Sequence, residues 1–208
     1  MKVVTLLEND FEAECKRLAH LVAKDYRPDL VVGIRTGGGY VGKRVHTALN
    51  GDGKVRYLEV SIERGGTEIK RKINLRQILR VLPEPTLNFL RVLEVMVLEL
   101  ISKFRVPKRQ SNFIIPDDIR SFLNEGQRKI LLVDDCVDTG ATLKCVLDFF
   151  SSGFGEGNQQ RCAVITKAHR KPLVDVEYLL YNRVLIRFPW SFDTKGGMGK
   201  NYTKAGQL

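Results

Sequence analysis

Residues 130–142 read Ile130-Leu131-Leu132-Val133-Asp134-Asp135-Cys136-Val137-Asp138-Thr139-Gly140-Ala141-Thr142. Four consecutive apolar residues, introduced by Lys129, predict a buried strand over 129–133 that meets two acids at its C-terminal end. A helix is predicted over 142–150, so Thr139, Gly140 and Thr142 lie where strand hands over to helix. Backbone N–H groups converge at such a junction, two hydroxyls add donors, and Gly140 lets the chain approach a ligand closely. This is a phosphate cradle at a helix N-terminus. Carboxylates beside a phosphate site repel a bare anion, and fit a ligand that also offers hydroxyl donors or a divalent metal. A ribose 5-phosphate has both halves: phosphate for the threonine loop, 2- and 3-hydroxyls for Asp134 and Asp135. Asp138 is a third acid, placed to face the reacting carbon. Taken singly, Asp-Asp and Thr-Gly are common turn elements and Thr142 could be an ordinary N-cap. The information lies in the whole run after an apolar strand.

Working outward, the pattern alternates strand and helix. Phe11, Cys15, Leu18, Leu21 and Val22 share one face of a helix expected over 10–24, with Asn9 or Asp10 as its cap. A short apolar strand at 30–34 ends in Arg35-Thr36-Gly37-Gly38-Gly39, a glycine loop, and helical spacing resumes over 40–49. A strand is expected over 55–62, a short helix begins at Pro116-Asp117-Asp118, and a glycine-rich loop spans 151–160. Further strands are expected over 162–166, 177–181 and 184–188. Alternating strands and helices imply a parallel α/β sheet, in which ligands bind beyond the carboxyl ends of the strands. Both glycine loops and the acid pair lie at such ends.

With 208 residues, 43% of them hydrophobic and 28% charged, the chain fits one domain of ordinary soluble composition. Its first twenty residues hold no long uncharged apolar stretch, so neither a signal peptide nor a membrane anchor is expected. The most hydrophobic window, 86–104, is interrupted by Arg91, Glu94 and Glu99 and reads as a buried or partner-facing helix. Cys15, Cys136, Cys145 and Cys162 match no zinc spacing. They read as reduced, mostly buried thiols in a cytoplasmic protein.

The run 130–142 resembles the signature by which type I phosphoribosyltransferases bind 5-phosphoribosyl-1-diphosphate (PRPP): an apolar strand, two acids, then Asp-Thr-Gly-x-Thr. The resemblance implies that Asp134 and Asp135 hold the ribose hydroxyls with Mg2+ nearby. It gives Asp138, Thr139, Gly140, Ala141 and Thr142 to the 5-phosphate, and makes Asp138 the acid that handles the proton of a purine-like base. Val31-Val32-Gly33-Ile34-Arg35-Thr36-Gly37-Gly38 is similar to the family's first loop, which binds diphosphate through backbone amides. Arg35 and Lys43 are candidates for diphosphate charge, with a solvated helix lysine as the alternative for Lys43. The stretches Val164-Ile165-Thr166-Lys167, Lys171-Pro172-Leu173-Val174-Asp175 and Arg187-Phe188-Pro189-Trp190 are similar to the C-terminal part of xanthine–guanine phosphoribosyltransferases. There Lys167 would contact a purine 6-oxo group, with a basic loop residue as the bland alternative. Two departures stand in that part: Leu185 replaces the aromatic that stacks on the base, and Arg187 replaces an acid. Trp190 fits hood core as well as a base contact. The implied architecture is an α/β, parallel-sheet, Rossmann-like core in one domain over 1–208. A C-terminal hood, a helical insertion at about 63–115 and a tail at about 195–208 complete it.

The insertion is the main departure. It carries eleven Lys/Arg against five acids, more than half of the chain's net charge of +10. Helices are expected over 73–82 and 87–104, the second apolar on nearly all sides. Such a helix wants cover: the core, a second copy in a homodimer, or another protein. The basic run Lys70-Arg71-Lys72 with Arg76 and Arg80 suits PRPP, nucleic acid, or merely solvent. Two functions follow: an enzyme using PRPP, a nucleobase and Mg2+, or a phosphoribosyltransferase-fold regulator or effector, such as a bacterial defence or retron module, that binds nucleic acid or a protein through the insertion.

Overall fold

The computed structural model of the chain describes residues 2–62, 113–154 and 157–191, with positions 83, 85–86, 89–90 and 92–93. Its elements run β1 (Lys2–Thr5), α1 (Glu8–Ala23), β2 (Leu30–Ile34), α2 (Gly37–Leu49), β3 (Arg56–Val60), α3 (Asp117–Asn124), β4 (Lys129–Val137), α4 (Ala141–Ser152), β5 (Gln159–Lys167), β6 (Tyr178–Asn182) and β7 (Val184–Arg187). Five strands form one sheet in the order β3-β2-β4-β5-β6, every pairing parallel. β1 and β7 pair in parallel as a separate two-stranded hood.

The central strands are buried on both faces, and their period of two sorts side chains between two cores. Leu30, Val32, Ile34, Ile130, Leu132, Cys162 and Val164 pack against α3 and α4 through Ile119, Leu123, Leu143, Val146 and Phe150. Val31, Leu131, Val133, Ala163 and Ile165 pack against α1 and α2 through Phe11, Cys15, Leu18, Val22, Val41 and Val45. The helix face read from Phe11 to Val22 is thus the one that is buried. At the hood, Trp190 stacks on Phe188 at 4.9 Å and meets the rings of Phe11 and Tyr40 at 5.0 Å each, so it is hood core.

Several boundaries differ from expectation. α1 begins at Glu8 with Leu7 as its N-cap and no side-chain cap bond, so neither Asn9 nor Asp10 caps it. Glu8 and Asp10 instead lie in its first turn, where carboxylates favour the helix dipole. β4 runs on through Asp134, Asp135 and Cys136, because its pairing with β5 continues to Val137↔Lys167. β1, too short to show alternation, was not expected at all. The helices expected over 73–82 and 87–104 and the tail over 195–208 lie outside the described residues, apart from helical turns at 85–86, 89–90 and 92–93. No helix among the described residues is long and apolar enough to cross a membrane.

All four cysteines are free. Burial pushes the Cys15 thiol from its ordinary 9.0 up to about 12, against a smaller downward pull from Arg44. The folded chain therefore holds this proton where the unfolded chain releases it. The stability it contributes is whole below pH 9 and is lost as pH rises from about 9 towards 12. We expect the urea midpoint to fall between about pH 8 and pH 10.5, and Cys15→Ala to flatten that fall while lowering stability at neutral pH by about 1 kcal/mol. Cys162, likewise raised by burial, retains part of the slope.

Candidate active site

β2 and β4 are neighbours whose onward connections leave in opposite directions. β2 leads through α2 to β3 on one side, and β4 leads through α4 to β5 on the other. The crevice beyond their carboxyl ends is a topological switch point, where open parallel sheets bind ligands. The two glycine-bearing motifs fill it from opposite faces. Gly37, Gly38 and Gly39 form the first turn of α2, not a loop, with Thr36 as N-cap and no side-chain cap bond. α4 begins at Ala141 with Gly140 as N-cap, again without a side-chain cap, so Thr142 sits inside the helix. Two helix N-termini with their amide groups and positive dipole ends thus converge on one crevice.

The contact between the motifs is close. A Cβ on Gly37 would lie 2.0 Å from Asp135 Oδ2, and one on Gly38 would lie 2.7 Å from the Val133 carbonyl oxygen and 2.8 Å from Asp134 Cα. Only hydrogen fits at either position. Both acids lie under the glycine turn, Asp135 through its carboxylate beneath Gly37 and Asp134 through its Cα and Oδ1 beneath Gly38. Asp134 is buried and its Oδ1 accepts the Asp135 N–H at 2.9 Å, while Asp135 Oδ1 accepts the Cys136 N–H at 3.0 Å.

Beyond the strand, Asp134, Cys136, Val137, Asp138, Thr139, Gly140, Thr142 and Leu143 line a small cavity of about 60 Å3. Gly140 has φ +79°, a left-handed conformation that suits glycine. Thr139 Oγ1 accepts the Ala141 N–H at 3.4 Å. Asp138 is exposed, and the Cys136 thiol donates to its Oδ1 at 3.7 Å. Burial first, then the carboxylates of Asp138, Asp135 and Asp134, push that thiol well above its ordinary range. It therefore remains a donor. Lys167 ends β5 in register with Val137, one residue before Asp138, half-buried and with no ion pair among the described residues.

Of the residues expected at the site, Asp134, Asp135, Asp138, Thr139, Gly140, Ala141, Thr142, Gly37, Gly38 and Lys167 come together around the crevice. Arg35 and Thr36 sit at its outer rim, both exposed, and Arg35 Nε donates to Glu59 Oε2 at 2.7 Å. Lys43 lies farther along α2, lining a different cavity. Several contributors went unread. Glu59, which holds Arg35, also meets the Tyr57 hydroxyl at 3.0 Å. The 168–173 loop is tied to the 137–139 segment at both ends: Ala168 N–H donates to Val137 O and Leu173 N–H to Thr139 O, each at 2.9 Å. Within it, His169 is buried with no hydrogen-bond partner for Nε2 among the described residues. No sequence signal marks these; they depend on which loops touch.

The phosphoribosyl transferase domain model matches residues 4–195. The chain belongs to this family. Among solved structures, the phosphoribosyltransferase chain resembles a purine phosphoribosyltransferase from Pyrococcus horikoshii Ot3, with TM-score 0.57 and 18% identity over 92% of this chain and 95% of that one. It also resembles the xanthine–guanine–hypoxanthine phosphoribosyltransferase of Helicobacter pylori, with TM-score 0.57 and 13% identity over 98% and 99% of the two chains. A hypothetical protein from Neisseria gonorrhoeae with bound ppGpp aligns with TM-score 0.55 and 14% identity over 99% and 98%. At these identities the likeness establishes the phosphoribosyltransferase fold. No curated protein matches the chain.

If the close approach at Gly38 is required, Gly38→Ala should lower stability by about 1–3 kcal/mol, since its methyl group would meet backbone that cannot yield. Gly126→Ala, where a Cβ would have nothing within 4 Å, should change it by less than about 0.5 kcal/mol. Urea midpoints of the two variants check this directly.

Proposed function

We propose that the chain is a PRPP-dependent phosphoribosyltransferase acting on a purine-like base, in a single domain over 1–208 elaborated by the 63–115 insertion. The observation that carries this reading is the seating of the α2 glycine turn on Asp134 and Asp135, which couples an anion-binding helix end to a pair of hydroxyl acceptors. The α4 N-terminus with Thr139, Gly140, Ala141 and Thr142 takes the 5-phosphate. Asp134 and Asp135 accept from the ribose 2- and 3-hydroxyls. Thr36, Gly37 and Gly38 offer amides to the diphosphate, with Arg35 at the rim.

The reaction joins a ring nitrogen of the base to C1 of the ribose as the C1–O bond to diphosphate breaks. The electron pair of that bond leaves with diphosphate, and the proton released by the base passes to Asp138. Alignment and electrostatic stabilisation supply most of the catalysis. Lys167, beside Asp138, favours the 6-oxo group of a purine and disfavours a 6-amino group. Asp134 and Asp135 suit Mg2+, a hard cation typically held by one or two carboxylates together with substrate phosphates; bound there, it would offset the charge of the departing diphosphate.

A panel of purines with PRPP and Mg2+ tests the reading through diphosphate release. A 6-oxopurine should be turned over, Asp138→Asn should lower kcat by about 10²–10⁴-fold, and Lys167→Ala should raise KM for the base by about tenfold. Absence of diphosphate release with every base in the panel would overturn the assignment. The insertion's eleven basic residues favour a second reading, a phosphoribosyltransferase-fold effector that binds nucleic acid. Salt-dependent nucleic-acid binding that disappears when Arg71, Lys72 and Arg76 become Ala, without base turnover, would establish that one instead.

A further inference from the structure

A second cavity lies apart from the one at Asp138–Thr142. It is a groove of about 730 Å3 on the outer side of α2, walled by α1, by the Arg35–Thr36 corner and by the end of β3. Its size is that of a small-molecule site, commonly about 300–1,000 Å3. It shares no lining residue with the cavity at Asp138–Thr142.

Its chemistry is cationic. Lys16 from α1, Lys43 and Arg44 from α2, and Arg35 converge on it, against Glu12 and Glu59. The two arginines are already engaged: Arg35 with Glu59 at 2.7 Å, and Arg44 with Glu12 while its guanidinium lies over the Phe11 ring. Neither Lys16 nor Lys43 has an acid partner among the described residues, so two ammonium groups from different helices face one cavity uncompensated. Thr36 and Thr47 lie in the same lining, the Thr47 hydroxyl donating to the Lys43 carbonyl at 2.9 Å. With four cationic side chains in its wall against two acids, the groove suits an anion better than an apolar helix of a partner protein.

We propose that this groove is a second binding site, for an oligophosphate whose chain bridges Lys16 and Lys43. The ligand class is a soluble chain of two or more phosphates, either inorganic or carried by a nucleoside. Arg35 and Thr36 belong both to the groove and to the corner that leads into Gly37 and Gly38. An occupant therefore bears on the turn that lies against Asp134 and Asp135. Coupling of this kind is reciprocal: ligand in the crevice changes affinity in the groove by the same factor.

Calorimetric titration of inorganic tripolyphosphate into the full chain, without Mg2+, tests the site directly. The comparison uses wild type, the double variant Lys16→Ala/Lys43→Ala, and Thr142→Val in the phosphate loop. Both lysines are exposed, so the double variant should fold; thermal melting checks this. The double variant should bind about tenfold more weakly or worse, and Thr142→Val should retain wild-type affinity. Parallel titrations with ATP and GTP separate a nucleoside-borne chain from an inorganic one. Loss in Thr142→Val with none in the double variant would place the anion in the crevice and overturn the proposal. So would weakened binding of single-stranded RNA with tripolyphosphate unaffected. The readout is binding and not turnover, so absence of base turnover would leave it standing.

Discussion

The seating of the Gly37–Gly38 turn on the end of β4 is the contact on which the rest of the site depends. Backbone there meets backbone and carboxylate at distances that no Cβ could occupy. That approach brings two segments about a hundred residues apart to the same point. It turns an acid pair, which alone would repel phosphate, into the floor between two helix N-termini. Anion binding by main-chain amides needs convergent N–H groups whose own helices leave them open. Both α2 and α4 start without a side-chain cap, which is a local cost to each helix and the condition for the site.

The sheet makes this geometry inevitable once its strands are buried on both faces. Alternation along β2 and β4 commits α1 and α2 to one side and α3 and α4 to the other. Since β2 and β4 are adjacent and parallel and lead to strands on opposite sides, right-handed crossovers start their following helices side by side from opposite faces. The phosphate loop is then stiffened by a second layer, the 168–173 loop, tied to it by main-chain bonds from Ala168 and Leu173.

Legibility followed sequence distance. The apolar run at 130–133, its acids and the threonine loop are contiguous, and the structure seats them as one unit. The strand at 30–34 was readable to the residue because its apolar run ends abruptly at Arg35. β4 outran its apolar stretch, since pairing with β5 continues where hydrophobicity stops. The glycines after Arg35 looked like a loop, because low helix propensity at three successive positions hides a helical turn that packing enforces. Lys43 could be placed on a helix, but the side of that helix facing the crevice could be found only in three dimensions. The groove it shares with Lys16 draws residues from positions 12 to 61, and of these only Arg35 and Thr36 fall in a motif read from the sequence.

The base-recognising half was least legible for a physical reason. Phosphate and ribose are held by main-chain groups and short acids, whose geometry a local motif can encode. A base is held by packing between strand ends and whatever covers them, and that is a property of contacts between distant segments. Here Leu185, in the strand where the family places a stacking ring, is buried in a small aliphatic cluster with Ala168, against which Val3, Cys136 and Val92 pack. Val92 lies in the 63–115 segment, while Cys136 sits between the acid pair Asp134–Asp135 and Asp138. Val92 therefore packs at the strand end at which the proposed base would be read. A departure at Leu185 and a departure at 63–115, unrelated along the chain, meet in one contact: an aliphatic surface built from the core, the hood and the insertion stands where an aromatic one is the family's habit.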